Sequence, residues 1–157
     1  MRMRKKICFV LMIVWMIVIF AFSSRNADLS TQDSHSIGML LGRLILPTFQ
    51  NLDADRQLSF ANKVDHPVRK LAHMAEYAVL GLLISGSYTD RTKKWLDRIR
   101  VPFIIGAVYA VSDEVHQMFV PGRSCEVKDM MIDSGGVLIG VLFGMVVWRK
   151  TRENKED

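Results

Sequence analysis

The sequence predicts an all-α integral membrane protein, a four-transmembrane-helix bundle with an amphipathic helix in the first outer loop. Three observations predict it. Half of the 157 residues are hydrophobic, and they gather into four runs of nearly membrane-spanning length instead of being spread as in a soluble core. The charged residues fall mostly between those runs. The basic residues behind the net charge of +5 stand beside the runs, where they determine topology, and form no patch suited to nucleic acid. There is no internal repeat, and Cys8 and Cys125 have no metal-type spacing. Residues 1–157 read as one membrane domain.

The first predicted span covers about residues 6–24. M-R-M-R-K-K precedes the uninterrupted apolar run Ile7 to Phe22, a pattern shared by signal peptides and first membrane helices. Ala21-Phe22-Ser23 offers small residues at cleavage spacing. A helix from Lys6 to Ser24 would nevertheless be roughly 27 Å long, enough for a snug span, and the expectation is that it is retained. The outer loop, residues 25–67, follows. Within it Ile37, Leu40, Leu41, Leu44 and Ile45 recur at helical spacing until Pro47, which predicts an amphipathic helix over Ser34 to Leu46. It would lie on the membrane surface or over the bundle. His35 at its polar start reads as a solvated histidine. Asn51 to Asp65 is polar and reads as helix and turn.

The second span is predicted at about 68–88. Arg69, His73, Glu76 and Leu80 fall within about 60° of one face. The third, about 101–120, has Pro102 in its first turn. Gly106, Tyr109, Asp113, His116 and Gln117 share a face about 100° wide, with Glu114 some 60° outside it. Pro121-Gly122 supplies the stop. The fourth, about 130–148, aligns Asp129, Asp133, Gly136, Gly140 and Gly144. The three glycines form a stripe that admits close approach of another helix. Trp148, Arg149 and Lys150 read as an interfacial anchor.

Basic residues decide the orientation. Arg2, Arg4, Lys5 and Lys6 open the chain; Arg91, Lys93, Lys94, Arg98 and Arg100 fill the second loop; Arg149, Lys150, Arg152 and Lys155 sit in the tail. The positive-inside rule puts both termini and that loop in the cytoplasm. Cys8 and Cys125 then lie near opposite faces, which argues against a disulfide between them. The charged start of the second span, end of the third and start of the fourth all face outward. From helix rise, His73 and Glu76 lie about 7 and 12 Å past Val68, Asp113 and His116 about 10 and 6 Å before Val120, and Asp133 about 4 Å past Met130.

Ionisable groups at such depths are costly and usually functional. The candidate polar pocket comprises Arg69, Lys70, His73, Glu76, Tyr109, Asp113, Glu114, His116, Gln117, Arg123, Asp129 and Asp133. His73 and His116 can move protons, with Glu76 and Asp113 orienting or accepting. Arg69, Lys70 and Arg123 can grip a phosphate or carboxylate of an outer-leaflet ligand. The acids and histidines match no strong metal signature, so no metal and no cofactor is expected. The same groups can also serve as buried ion pairs that fix helix register. The surplus of acids favours function over pure pairing.

Three segments carry a family resemblance: R-K-x-A-H-x-x-E-Y-x-x-L-G at Arg69–Gly81, Y-A-x-S-D-E-x-H-Q-x-F-V-P-G-R at Tyr109–Arg123, and D-x-x-x-D-S-x-G at Asp129–Gly136. With F-S-S at Phe22–Ser24, they resemble the VanZ-like membrane family, whose namesake is associated with low-level teicoplanin resistance. Arg25 departs from the pattern, where Gln is expected after F-S-S, and 124–128 has no clear match. The resemblance implies a multi-pass plasma-membrane protein of a Gram-positive bacterium. It supplies no settled reaction, so no catalytic residue is assigned and enzymatic activity is left open. The leading expectation is an outward-facing pocket that binds a cell-envelope or lipoglycopeptide ligand and affects teicoplanin susceptibility, with membrane lipids as the other partners. A hydrolase or transferase acting on a lipid-linked substrate, and a structural or accessory subunit, stand as alternatives.

Overall fold

Short polar residues set where the helices begin. Asn26 accepts from Leu29 N (3.0 Å) and starts the second helix, while Asp53 accepts from Arg56 N (2.8 Å) and starts the third, each satisfying an orphan N–H of a first turn. The computed structural model describes residues 2–88 and 93–153, excluding the side chains of Arg2, Asp28 and residues 149–153. Arg91 and Lys155, and the side chains of Arg2, Arg149, Lys150 and Arg152, therefore lie outside the described residues. The elements are α1 (Arg2–Ser23), α2 (Ala27–Ile45), a 3-10 turn (Phe49–Asn51), α3 (Ala54–Tyr88), α4 (Asp97–Gln117) and α5 (Val127–Glu153), with no strand among the described residues.

Helix α3 is the hub. It packs most extensively on α5 and also against α1, α2 and α4. The core lies between α1, α3, α4 and α5, where Met12, Ile19, Tyr77, Leu80, Ile84, Ala110, Val137 and Val141 are buried together. The glycine stripe does what its spacing predicts. A Cβ on Gly136 would run into the Met74 backbone, and one on Gly140 into the Ala78 carbonyl, so α3 and α5 touch backbone to backbone. Outside this core α1 leaves Ile7, Phe9, Val10, Leu11, Val14 and Ile17 exposed. Met3–Ser23 and Val127–Trp148 are long and apolar enough to cross a membrane, with mean hydropathies of 2.5 and 2.0. The polar residues carried by α3 and α4 keep those helices below the same measure.

Several boundaries differ from the sequence reading. Helix α2 begins at Ala27, not Ser34, because the Asn26 cap nucleates it earlier. The segment read as helix and turn before residue 68 is the first part of α3, which runs 35 residues with Pro67 inside it. A proline removes one helical hydrogen bond. Here contacts from α2 to Asp65 and Arg69, on either side of Pro67, hold the helix together through the interruption. Helix α4 begins at Asp97, so Pro102 sits inside it and not in its first turn. It ends at Gln117. Phe119 N and Val120 N bond back to His116 O and Gln117 O in tight turns (both 3.0 Å), which finish the helix three residues before Val120. Gly122 then takes φ +75, a conformation that favours glycine, and the turn is tied to the start of α2 by Ala27 N donating to Pro121 O at 3.3 Å.

Candidate functional site

The polar residues gather at one end of the bundle, where α1 ends, α2 crosses and α4 turns into α5. Glu114 is buried, and its Oε2 accepts from Glu126 N (3.1 Å). It thereby holds the start of α5 close to the end of α4. Lys70, on α3, donates to Asp129 at 2.5 Å and lies 4.0 Å from Glu126, linking the third wall to the same turn.

Two cavities open there. One, of about 120 Å³, is lined by His66, Arg69, Lys70, His73, Glu114, Gln117, Gly122, Arg123, Ser124, Glu126, Asp129, Ile132 and Asp133. The other, of about 150 Å³, is lined by Phe22, Arg25, Ser30, Asp33, Ser34, Ile37, Val68, Arg69, Ala72, His73, Glu76 and Arg123. Arg69, His73 and Arg123 belong to both and form the partition between them. The first cavity is the more polar; the second has an apolar lining in Phe22, Ile37, Val68 and Ala72.

Most charges at this end have assigned partners. Arg69 Nη2 donates to Asp65 (2.7 Å) and Thr31 (3.1 Å), and Ser34 donates to the same Asp65. Burial works to raise the Asp65 pKa, but the hydrogen bonds from Ser34 and Arg69, with the Arg69 charge, lower it below its ordinary 3.8. Arg25 pairs with Asp33, so the departure from the family pattern at Arg25 is matched by a carboxylate in the second turn of α2. Four atoms on cavity-lining residues are different, as is Asp113 Oδ1 outside the cavities. Arg69 Nε, His73 Nδ1, Glu76 Oε2 and Arg123 Nε are buried with no hydrogen-bond partner among the described residues. All four belong to residues lining the cavities. His73 Nδ1 lies 3.9 Å from Glu76 Oε2, too far for a hydrogen bond. Buried polar atoms without partners cost free energy, so their concentration at two adjoining cavities marks a place where something else supplies the partners.

Eight of the twelve sequence-predicted residues line the first cavity: Arg69, Lys70, His73, Glu114, Gln117, Arg123, Asp129 and Asp133. Glu76 lines the second. The other three sit elsewhere. Asp113 is buried and accepts from Ser23 Oγ (2.7 Å) and Gln117 Nε2 (3.3 Å). Tyr109 donates to Met16 O at 2.6 Å. His116 stacks on Phe20 with ring centroids 4.4 Å apart and contacts Ser24 Oγ at 3.1 Å. That Ser–His contact is not arranged as an activated nucleophile. The hydroxyl's one proton goes to Phe20 O (2.7 Å), leaving Ser24 to accept from the histidine.

Ser23, Thr31, Ser34, Asp65 and Glu126 lie at this end but are not among the twelve pocket residues predicted from the sequence. The F-S-S signal held the first of these. Its two serines reach Asp113 and His116 and so join the end of α1 to the end of α4. Asp65 lay in a segment read as uninformative, and its i,i+4 spacing to Arg69 was the available clue. Among the described residues no group of three or more His, Cys, Asp or Glu side chains is arranged to hold a metal ion.

The family model described as VanZ/LLP1 matches residues 8–148. No curated protein and no solved structure matches the chain.

Proposed function

The chain belongs to the VanZ/LLP1 family, and from that premise we propose that it is a multi-pass plasma-membrane protein whose polar end faces outward, binds a cell-envelope ligand and lowers susceptibility to teicoplanin. Four crossings are α1, the later part of α3, α4 and α5. Helix α4, at 21 residues, is about 31 Å long, the thickness of a hydrocarbon core. Retention of α1 is supported by its part in the core and by three bonds: Trp15 Nε1 to Glu76 O (2.9 Å), Tyr109 to Met16 O and Ser23 to Asp113. Arg4 lies over Trp148 (5.5 Å) and Lys93 over Tyr88 (5.2 Å). Aromatic and basic residues thus meet at the end opposite the cavities, which favours a cytoplasmic assignment for that end.

The observation that carries the binding reading is the pair of adjoining cavities with four buried, unpartnered polar atoms on residues that line them. Size narrows the ligand. Drug-sized molecules fill pockets of about 300–1,000 Å³, whereas these cavities measure about 120 and 150 Å³. They suit one group of an envelope component and cannot enclose a whole lipoglycopeptide. The test is expression in a teicoplanin-sensitive Gram-positive host. Raised teicoplanin tolerance relative to empty vector is expected, and an unchanged inhibitory concentration with the protein present in the membrane would refute the proposal.

A further inference from the structure

Arg123 differs from every other cation in the two cavities. Lys70 has Asp129, Arg69 has Asp65, and Arg25 has Asp33. Among the described residues, no carboxylate lies within ion-pairing distance of Arg123, and its Nε is buried without a partner. The side chain is half-buried beside a second guanidinium, that of Arg69, whose own Nε is also unpartnered. Burial, then the charge of Arg69, lower the Arg123 pKa from its ordinary value. An arginine remains charged under such a shift. Asp65 offsets the Arg69 charge, and Glu114, Asp113 and Asp129 act on Arg123 only from beyond pairing distance, so an anion that contacts both guanidiniums would stabilise the arrangement.

We propose that Arg69 and Arg123 together hold the phosphate group of a phosphate-bearing amphiphile at the partition between the two cavities. Guanidinium forks match phosphate oxygens in bidentate geometry. A phosphate there would accept from Arg69 Nε and Arg123 Nε, and from His73 Nδ1 when that nitrogen carries a proton, three of the four unpartnered atoms. Four acids line the first cavity: Glu126 lies 4.0 Å from Lys70, and Asp133 is buried. Glu114 is held by Glu126 N, and Asp129 is neutralised by Lys70. The second cavity offers the amphiphile's apolar part a path over Phe22, Ile37, Val68 and Ala72. The partition is therefore a headgroup clamp with an apolar exit on one side. The fourth atom, Glu76 Oε2, stands on that exit and would accept a hydrogen bond from a hydroxyl or amine of the ligand.

This inference rests on reading the cavities as a ligand site, and its test separates the two. The full-length protein is reconstituted in phosphatidylcholine nanodiscs and titrated with phosphatidic acid, with diacylglycerol, and with inorganic phosphate, following bound ligand by native mass spectrometry. Saturable binding of phosphatidic acid is expected, with none of diacylglycerol. Charge-assisted contacts of this kind make a loss of about tenfold or more the expectation for Arg123→Gln. Arg123 has no internal ion pair to lose, so this variant keeps the fold. Arg123→Lys keeps the charge but not the fork and should fall between. Binding of inorganic phosphate as tight as that of the lipid would assign the anion site to free phosphate and still support the clamp. Equal binding of phosphatidic acid and diacylglycerol, or binding unchanged in Arg123→Gln, overturns it. Teicoplanin tolerance conferred by a protein that binds neither phosphate would leave the functional reading standing and remove this inference alone.

Discussion

Gly140→Ala should loosen the seam between α3 and α5, and the structure sets how much. A Cβ at Gly140 would overlap the Ala78 carbonyl oxygen and lie 2.7 Å from Ala78 C and 2.9 Å from Leu82 N, where ordinary contact begins at 3.4 Å. All three obstacles are backbone, so no side chain can turn aside and the helices must part. Overpacking costs about 1–3 kcal/mol, and parting two helices along their closest line belongs at the upper end. Alanine's helix preference returns about 1 kcal/mol, leaving a net loss of about 2 kcal/mol. Gly135, five residues earlier on the same helix, is the control. Nothing lies within 4 Å of its Cβ position, so Gly135→Ala should gain up to about 1 kcal/mol. At Gly144 the obstacles are the side chains of Ser85 and Trp148, which can rotate, so its alanine variant should fall between. Reversible unfolding in mixed detergent–SDS micelles, followed by circular dichroism, reads the series. Gly140→Ala no less stable than Gly135→Ala would refute the claim that backbone contact closes this seam.

Three other outcomes follow from the same geometry. Ser23→Ala removes the 2.7 Å donor to buried Asp113 and should cost about 1–3 kcal/mol in the same assay, whereas Ser24→Ala, at an exposed position, should cost under about 0.5 kcal/mol. Because the folded pKa of Asp65 is lowered below 3.8, its stabilising contribution is present above that pH and lost as pH falls through the folded value. Hydrogen exchange where α2 meets α3 should therefore accelerate below about pH 4 in the wild type and not further in Asp65→Asn. Cys125, partly exposed between α4 and α5, should react with a membrane-impermeant maleimide in intact cells. Labelling only after permeabilisation would reverse the proposed orientation.

The fold was legible where side-chain pattern alone decides it. The first and last apolar runs, the Gly136–Gly140–Gly144 stripe and the Pro121-Gly122 turn rest on local chemistry and are found as read, although α4 stops at Gln117, short of that turn. Boundaries set by tertiary contacts were not. Pro67 reads as a break in isolation, yet α2 fastens both sides of it through Asp65 and Arg69. Helix periodicity put Asp113, His116 and Gln117 on one face, and they do lie close along α4. It could not show that Ser23 takes Asp113 or that Phe20 and Ser24 take His116, because α1 is some 90 residues distant in sequence. Glu114 was placed off the shared face, and only the return of the chain at Glu126 shows what it meets. Which charges are spent on pairs, and which stay unpartnered, belongs to the folded arrangement.

If the polar end is a ligand site and not solely a clamp between helices, its unpaired cation matters for protection and not for folding. Arg123 separates the two most directly, since it has no ion pair within the protein to lose. The deciding measurement is the teicoplanin inhibitory concentration for a sensitive host carrying wild type or Arg123→Gln at matched membrane abundance. Wild type is expected to raise it and Arg123→Gln, equally abundant, is not. An equally abundant Arg123→Gln that protects as well as wild type would contradict it.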